Sequence, residues 1–261
     1  MRLSRLARST FYYYLKRIKT DKYKKEKQEI QDIYADNKGR YGYRRILVVM
    51  RLKGYTLNHK TVLKLMKSLG LKGKQCKVRK YCSYKGEVGK IADNILKRNF
   101  HADKPLEKLT TNITQFKVCD KKVYLSPVMD LFNREIISYA ISTNPSFAPI
   151  RKMLSDLFDK LPLEATPIFH SDQGWQYQQR EYQRLLAKHN ITPSMSRQGN
   201  CYDNAMAENF FSILKTECIY RHKPNTFEEA KEMIDRYIHF YNHERIQLKS
   251  GATPLMLRHS A

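Results

Sequence analysis

The chain of 261 residues is long enough for two compact domains, and its 41% of hydrophobic residues can supply a core, which excludes a disordered protein. The formal net charge of +24 is unevenly spread, because residues 1–104 hold 29 Lys and Arg against eight Asp and Glu. That half therefore carries +21 and residues 105–261 carry only +3. A basic excess confined to one half favours a module that binds a polyanion such as nucleic acid, with a merely soluble basic surface as the alternative.

Other classes of protein find little support in the sequence. The five cysteines are odd in number and lack Cys-x-x-Cys spacing, so they predict neither a disulfide framework nor a four-ligand zinc site. His239 and His243 lie four residues apart and could share a zinc ion, although packing or interface roles are favoured because no second ligand pair is near. No run approaches 18 apolar residues and residues 1–19 lack a signal-peptide core, so we expect a cytoplasmic protein without a membrane partner.

The basic half is predicted to form a series of short helices. Residues 1–20 end in a tyrosine-rich piece typical of the tail of a helix, and residues 21–37 predict a charged helix with one apolar stripe. A short helix then ends at Gly54, and Asn58 is a suitable N-cap for a second helix that ends at Gly70. Two short helices joined by a glycine turn predict a small all-α helix-turn-helix domain over residues 21–75.

In a helix-turn-helix the second helix enters the major groove of DNA, so basic residues of the pair are candidates for phosphate or base contacts. An ordinary helical hairpin with a solvated basic face is the alternative. Residues 76–104, with eight basic residues and glycines at 86 and 89, predict a linker that could track a DNA backbone. The candidate DNA-binding residues of the helix pair are Arg44, Arg45, His59, Lys60, Lys64 and Lys67.

Beyond Pro105 short apolar runs alternate with helical stretches. The order strand, strand, strand, helix, strand, helix, strand, helix predicts an α/β domain over residues 105–220, a mixed five-stranded sheet flanked by helices. A helical extension over residues 221–261 follows, opened by a capping box at Thr226. The predicted strands are 113–118, 123–129, 135–141, 167–170 and 191–194, and the predicted helices are 149–161, 180–188 and 203–217.

Three polar positions stand where such a sheet brings strand ends and helix faces together. Asn112 comes just before the first predicted strand, Asp172 follows the fourth, and Glu208 lies in the last helix. Asp172 belongs to a polar, glycine-containing turn that leaves an apolar strand, and 35 residues separate it from Glu208. Either carboxylate alone would be an ordinary surface residue, whereas the spacing and the flanking residues together indicate a site.

With this spacing, residues 169–177 and 203–211 resemble the catalytic core of the integrase-like, DDE-type transposases of bacterial insertion sequences. Residues 39–45 and the following helix pair resemble the helix-turn-helix that precedes that core. Residues 1–20 resemble the region downstream of a frameshift junction, as in a second-reading-frame product. The resemblance implies a ribonuclease-H-like core, joining of element ends to target DNA, a homo-multimer on double-stranded DNA, and an upstream-frame product as fusion or partner.

The resemblance also implies two Mg²⁺ or Mn²⁺ ions. In the family the first aspartate bridges both ions, and the positions of Asp172 and Glu208 bind one ion each. Hard cations take oxygen ligands, and two such ions can activate the attacking hydroxyl and stabilise the leaving oxygen of an in-line displacement. Lys215, seven residues after Glu208 and so on the same helical face, could hold a DNA phosphate.

The sequence departs from the family at its first motif, Trp-x-x-Asp-x-Thr, which reads here from Leu109 through Asn112 to Thr114. An amide at the first catalytic position gives up a negative charge, and one unit-charge interaction near 4 Å is worth roughly 4 kcal/mol at an effective dielectric of 20. We therefore expect strand transfer to be weak or absent. Asp130 is a candidate substitute ligand, although its flanks suit a position inside the sheet. Both departures can arise from single-base changes, as in a decaying copy of a mobile element.

Three functions are compatible with these patterns. The first is a transposase that cuts and joins DNA, and the second is a catalytically dead DNA-binding relic or regulator of transposition. The third, a ribonuclease-H-type nuclease acting on RNA·DNA hybrids, leaves the helix-turn-helix unexplained. The sequence has neither a G-x-S-x-G nucleophile elbow nor the spacing of a phosphate-binding P-loop, so no nucleotide energy source is implied.

Overall fold

A computed structural model describes residues 7–19, 21–73, 89, 91–197 and 200–260. The chain forms two compact units, residues 1–74 and residues 75–261. Most of the predicted linker, residues 76–88 and 90, lies outside the described residues. In the described ranges no helix has both the length and the apolar character that crossing a membrane requires.

The first unit is helical. Helices α2, α3 and α4 contact one another and bury their apolar faces at helical spacing. This confirms the predicted small all-α domain of helix-turn-helix type. Its core forms because each of the three helices carries one apolar stripe. Its helices are α1 (Arg8–Lys19), α2 (Lys24–Asp36), α3 (Tyr43–Leu52) and α4 (His59–Ser68), and the buried residues at its centre are Ile30, Ile33, Ile46, Met50, Val62 and Met66.

The ends of α3 and α4 follow from their local chemistry. Gly54 and Gly70 adopt left-handed backbone conformations with φ of +88° and +70°, which glycine reaches without steric cost and which end each helix. The Asn58 side chain accepts a hydrogen bond of 3.0 Å from the backbone N–H of Lys60 and so caps α4. The turn between the two helices is thus determined by residues inside it.

The second unit is built on a mixed sheet. Strands β1 and β2 pair antiparallel with β3 in one continuous register, with Thr111 opposite Val128 and Thr114 opposite Leu125, so they are two halves of one strand. The order across the sheet is β4, β3, β1 with β2, β5, β6, and the β1–β5 and β5–β6 pairs are parallel. This confirms the mixed sheet, which has five strands when β1 and β2 are counted as one and six when they are counted separately. The strands are β1 (Lys108–Thr111), β2 (Thr114–Val118), β3 (Lys121–Asp130), β4 (Ile136–Ser142), β5 (Ile168–Ser171) and β6 (Thr192–Met195).

The predicted start of the first strand was wrong. The strand begins at Lys108 and not at Ile113, so Asn112 lies inside it, at the interruption between β1 and β2. Thr110 and Thr111 are polar and show no strand pattern in the sequence, yet they are only 1% and 0% exposed. Packing on both faces of the sheet buries them, an effect that periodicity along the chain does not reveal.

Helices cover both faces of this sheet. Thr110 and Thr111 are neighbours on β1 and therefore point to opposite faces. Thr110 reaches Asn204, just before α7 (Ala205–Leu214), whereas Thr111 reaches Met153 on α5 (Ala148–Phe158). Helix α6 (Arg180–Lys188) joins β5 to β6 and buries Tyr182 and Leu186 in the core on the α5 side.

The C-terminal region packs on the same unit. A π-helical segment (Lys215–Ile219) and α8 (Tyr220–His222) continue α7, followed by α9 (Phe227–His243) and α10 (Pro254–His259). The Asn242 side chain on α9 exchanges two hydrogen bonds, of 3.0 and 2.9 Å, with the backbone of Ile136 at the start of β4. The division into a domain over residues 105–220 and a helical extension over residues 221–261 stays a prediction.

A buried ion pair ties the π-helical segment to the C-terminal region. The guanidinium of Arg245 donates two hydrogen bonds to Glu217, of 2.8 and 2.7 Å, and the Tyr237 hydroxyl donates a third of 2.9 Å. The Arg245 and Glu217 side chains are 4% and 11% exposed. Removing one member leaves a buried charge without its partner, which is the costly way to break such a pair.

We predict that Glu217→Gln lowers the free energy of unfolding of the second unit by about 3–5 kcal/mol, because Arg245 keeps its charge in a buried site. Urea denaturation followed by circular dichroism measures this. The matched control is Glu232→Gln on α9, which breaks an exposed pair with Arg236 and should cost under about 1 kcal/mol. Equal losses of stability in the two variants would contradict the importance of the buried pair.

Candidate active site

The β1–β5 pairing places two of the three predicted positions side by side. These parallel strands pair Lys108 with Ile168 and Thr110 with His170. Two residues further along, the same register sets Asn112 beside Asp172 at the ends of neighbouring strands, which lie about 4.8 Å apart in a sheet. The sheet itself therefore brings together positions 60 residues apart in sequence.

The first of these positions holds an amide engaged with its own backbone. Asn112 is half-buried, and its side-chain oxygen accepts a 2.6 Å hydrogen bond from the backbone N–H of Ile113. The antiparallel register with β3 sets Asn112 opposite Pro127, which has no N–H to donate. The side chain thus satisfies backbone at a break in the strand and contributes no negative charge to the site.

Asp172 follows β5 directly and lies in a tight turn. Its carboxylate accepts a 2.9 Å hydrogen bond from the backbone N–H of Gly174, while burial raises the pKa of this carboxyl above its ordinary value. A Cβ at position 174 would stand 2.9 Å from the Asp172 carboxylate oxygen and 3.2 Å from the Gln176 side-chain oxygen. A side chain at position 174 would therefore make the Asp172 carboxylate shift.

Glu208 lies on the first turn of α7. Burial and the charge of Asp172 both raise the pKa of Glu208, so the two carboxylates are near enough to repel each other. The start of α7 is fastened to β1 by Asn204, which accepts a 3.1 Å hydrogen bond from the Thr110 hydroxyl and donates one of 3.4 Å to the Thr111 carbonyl. The strand register thus sets Asn112 beside Asp172, and the charge of Asp172 acts on Glu208 at the start of α7.

This donor set falls short of a two-ion site. A divalent cation between Asp172 and Glu208 would relieve their repulsion, and carboxylates are the ligands that hard cations prefer. Across the described residues there is nonetheless no group of three or more His, Cys, Asp or Glu side chains that could hold a metal ion. Asn112 is neutral and adds no third carboxylate to Asp172 and Glu208.

Sequence reasoning missed the residue that organises this edge, Asp203. Its side chain is fully buried and accepts hydrogen bonds from Asn94, Arg98 and Arg197, with N–O distances of 2.8 to 3.1 Å. These arginines hold the pKa of Asp203 far below its ordinary value. The only sequence signal is its place before a helix, where an acidic residue is usually a cap. Here it joins the segment before the sheet to the start of α7.

A second residue that sequence reasoning missed, His170, links β5 to β6 and to the segment before α7. Its ring nitrogens lie 2.9 Å from the Ser194 hydroxyl on β6 and 2.9 Å from the Asp203 carbonyl. Ser194 in turn accepts hydrogen bonds from the backbone N–H groups of Ile95 and Leu96. Burial lowers the pKa of His170, which favours the neutral ring that one donor and one acceptor bond require. Part of the predicted linker therefore packs on the second unit.

The predicted DNA-binding residues lie mostly on exposed faces. Lys60, Lys64 and Lys67 follow one another at i, i+4 and i+7 on α4, opposite its buried face, and His59 is exposed at its start. On α3, Arg44 is exposed, whereas Arg45 is half-buried against the Tyr41 ring, 5.7 Å from its centre. In the second unit, Lys215 is half-buried at the junction of α7 and the π-helical segment.

Asp130, the candidate substitute ligand, has a structural role. Asp130 is fully buried and accepts hydrogen bonds from the backbone N–H groups of Leu106 and Phe132, of 2.8 and 3.0 Å, so it stabilises the turn after β3 and is opposite Leu109, not Asn112. His239 and His243 are exposed on α9 with their rings stacked 4.1 Å apart.

We predict that Asp203→Asn destabilises the second unit by about 1–3 kcal/mol at pH 7, because it removes charged hydrogen bonds. Since the folded pKa of Asp203 is lowered, its contribution is present above the unfolded pKa near 4 and is lost as the pH falls toward the folded pKa. Thermal unfolding at a series of pH values checks this. A difference between the two proteins that stays constant from pH 7 to pH 3 would contradict it.

Comparison with known families agrees with this geometry. Profiles of an integrase core domain match residues 102–201 and 208–260, and a helix-turn-helix-like domain matches residues 22–80. The chain is 48% identical over 260 residues to InsK of Escherichia coli K12, named as a putative transposase for insertion sequence IS150, and the alignment covers 99% of this chain and 92% of that protein. It is 53% identical over 203 residues to a transposase-like protein of Haemophilus influenzae, an alignment that covers 77% of this chain and 93% of the other.

A solved structure shows the same fold. This chain aligns over 89% of its length with 75% of a chain in a cryo-EM structure of a simian T-cell lymphotropic virus intasome, with a TM-score of 0.53 and 15% identity. That likeness confirms the ribonuclease-H-like integrase fold, and the sequence relatives define the family. The chain belongs to the insertion-sequence transposases of the second-reading-frame type, with a helix-turn-helix-like domain and an integrase core domain.

Proposed function

We propose that this chain binds the DNA ends of its insertion sequence through the first unit and carries, in the second, a cleavage and strand-transfer site that Asn112 impairs. The observation behind this proposal is the register that sets Asn112 beside Asp172, whose charge also raises the pKa of Glu208. These are the positions where the family resemblance calls for three carboxylates. Two of the three remain, at the predicted edge of the sheet.

The first unit offers the groove-binding helix. Lys60, Lys64 and Lys67 form one exposed cationic face on α4, and the side chains that pack α4 into the unit lie on the opposite face. A helix so disposed can enter the major groove while its partner helix holds it in place. Lysines of this kind neutralise phosphates and release counterions, which supplies the affinity for DNA. Arg44 and Arg45 on α3 and Lys215 on the second unit are proposed further contacts.

The second unit supplies part of a metal-dependent site. Integrase core domains of this kind typically use divalent metals. When bound, such ions activate the attacking hydroxyl and neutralise charge that develops on the phosphate. The residues present to hold them are Asp172 and Glu208, and Gly174 fixes the first of these through its backbone N–H. The missing negative charge at Asn112 weakens metal binding by an amount comparable to the roughly 4 kcal/mol of one unit-charge interaction.

A DNA-binding relic or regulator of transposition is the second candidate, and Asn112 is the observation that favours it. Such a protein would occupy element ends, alone or in multimers with an intact transposase or an upstream-frame product, without joining them. The fold does not depend on the lost carboxylate, because Asn112 already satisfies the backbone N–H of Ile113. A nuclease for RNA·DNA hybrids has no comparable support, since it gives the first unit no role.

We predict that Asn112→Asp raises strand-transfer activity on oligonucleotides with the element's ends by about 10³-fold, since roughly 4 kcal/mol corresponds to three decades in rate. Joining is measured with Mg²⁺ and with Mn²⁺, and Mn²⁺ binding is measured separately by calorimetry. Asn112→Asp with Glu208→Gln is the matched control, and it should lose both effects. Robust joining by the unaltered chain would contradict the impairment.

The role of α4 has its own test. We predict that the triple change of Lys60, Lys64 and Lys67 to Gln lowers affinity for duplex DNA and reduces the slope of log K against log salt by about 2.7, or 0.9 for each phosphate that is no longer neutralised. Fluorescence anisotropy at several salt concentrations measures it. The control changes Lys22, Lys24 and Lys25, exposed at the start of α2, to Gln and removes the same charge. Equal slopes in the two triple variants would overturn the assignment of α4.

A further inference from the structure

We propose that Arg98 and Arg197, held in place by the buried carboxylate of Asp203, form a phosphate-binding pair for DNA beside the proposed active site. This inference rests on the DNA-binding part of the proposed function. It concerns two residues that the sequence analysis did not single out, Arg98 from the predicted basic linker before the sheet and Arg197 from the loop after β6. We call them the arginine pair.

The contacts within the arginine pair are directional. Arg98 donates from Nε to one Asp203 oxygen at 2.8 Å, and Arg197 donates from Nε and one terminal nitrogen at 3.0 and 3.1 Å. The backbone N–H of Arg197 adds a fourth bond of 3.1 Å. The Asp203 side chain is 0% exposed, whereas the Arg98 and Arg197 side chains are 47% and 60% exposed. One buried carboxylate thus accepts hydrogen bonds from two guanidinium groups, while both arginine side chains remain exposed to solvent.

The charge and the donors of this arrangement suit a phosphate. A single carboxylate offsets one of two guanidinium charges, so a net charge of +1 remains. Among the contacts of the described residues, Asp203 engages one of the five side-chain N–H groups of Arg98 and two of those of Arg197. Guanidinium groups bind phosphate oxygens with paired N–H donors, and a fixed pair loses less side-chain entropy on binding than two free arginines do.

The backbone holds Arg98 in a conformation that an ordinary loop avoids. Lys97 and Arg98 are consecutive non-glycine residues with left-handed φ angles of +45° and +64°. Such conformations cost free energy and persist where surrounding contacts determine them, as they often do at functional sites. Here Asn94 supplies those contacts, because it accepts from the N–H of Lys97 at 2.8 Å and donates to Asp203 at 3.0 Å.

The arginine pair also lies next to the proposed active site. The carbonyl of Asp203 contacts His170, two residues before Asp172, and Asn204 anchors the helix that carries Glu208. Tyr202, 70% exposed, places its ring 5.6 Å from the Arg98 guanidinium, which adds a flat surface beside the two charges. DNA whose scissile phosphate reaches the carboxylates would therefore set a neighbouring phosphate near the arginine pair.

The experiment measures binding of the full chain to a duplex oligonucleotide by anisotropy over a range of salt. Arg98→Gln with Arg197→Gln should weaken binding and reduce the salt slope by about 0.9, the value for the one phosphate that the net charge of +1 neutralises. The matched control is Arg151→Gln with Arg236→Gln, which removes two exposed, ion-paired arginines from α5 and α9 of the same unit and should leave the slope nearly unchanged. Equal slopes for the two double variants would overturn the proposal.

Asp203→Asn tests whether Asp203 acts by positioning the arginines or only through its charge, because the two explanations predict opposite changes in DNA affinity. The substitution makes the chain more positive by one, so bulk electrostatics alone would strengthen DNA binding. If Asp203 orients the arginine pair, the variant binds DNA more weakly instead. Binding is measured below the temperature at which circular dichroism shows that the variant unfolds. Stronger binding by this variant would overturn the positioning role. A null result with the arginine pair, alongside a reduced slope for the Lys60, Lys64 and Lys67 variant, would reject this inference while the DNA-binding proposal stands.

Discussion

The parallel pairing of β1 with β5 is the constraint on which the rest of the second unit depends. Its register fixes which residue at the end of one strand stands beside which residue at the end of the next, and so sets Asn112 next to Asp172. Parallel strands must be joined by a long crossover, and here β3, β4 and α5 occupy it. The site follows from the order of the strands, since no single segment of the chain contains it.

Polar contacts then decide where the third position goes. Asn204 fastens the start of α7 to Thr110 and Thr111, and Asp203 fastens it to the segment before the sheet. These polar groups are buried and have hydrogen-bond partners. They hold the start of α7 in place although its Glu208 carboxylate and the Asp172 carboxylate repel each other. On the far side of α7, the buried pair of Glu217 with Arg245 holds the C-terminal helices to the same structure.

The substitution at position 112 has different consequences for folding and for chemistry. A carboxylate beside Asp172 would add repulsion to a site where burial already raises the pKa of Asp172 and Glu208. An amide removes that repulsion and bonds to the backbone of Ile113, so the fold has no need of the acid. The fold therefore accommodates a neutral amide at position 112.

The sequence by itself determined the α/β class, the order of strands and helices beyond Pro105, and the helix pair with its Asn58 cap and glycine stops, because these depend on local periodicity and capping. Asp172 and Glu208 stay predictions from motif spacing. Tertiary structure alone decided that the first strand begins at Lys108, since the two threonines there are buried by packing on both faces and not by any pattern along the chain. It also decided the roles of His170 and Asp203, because their partners Ser194, Arg98 and Asn94 lie 24 to 109 residues away in sequence and meet them only once the sheet has formed.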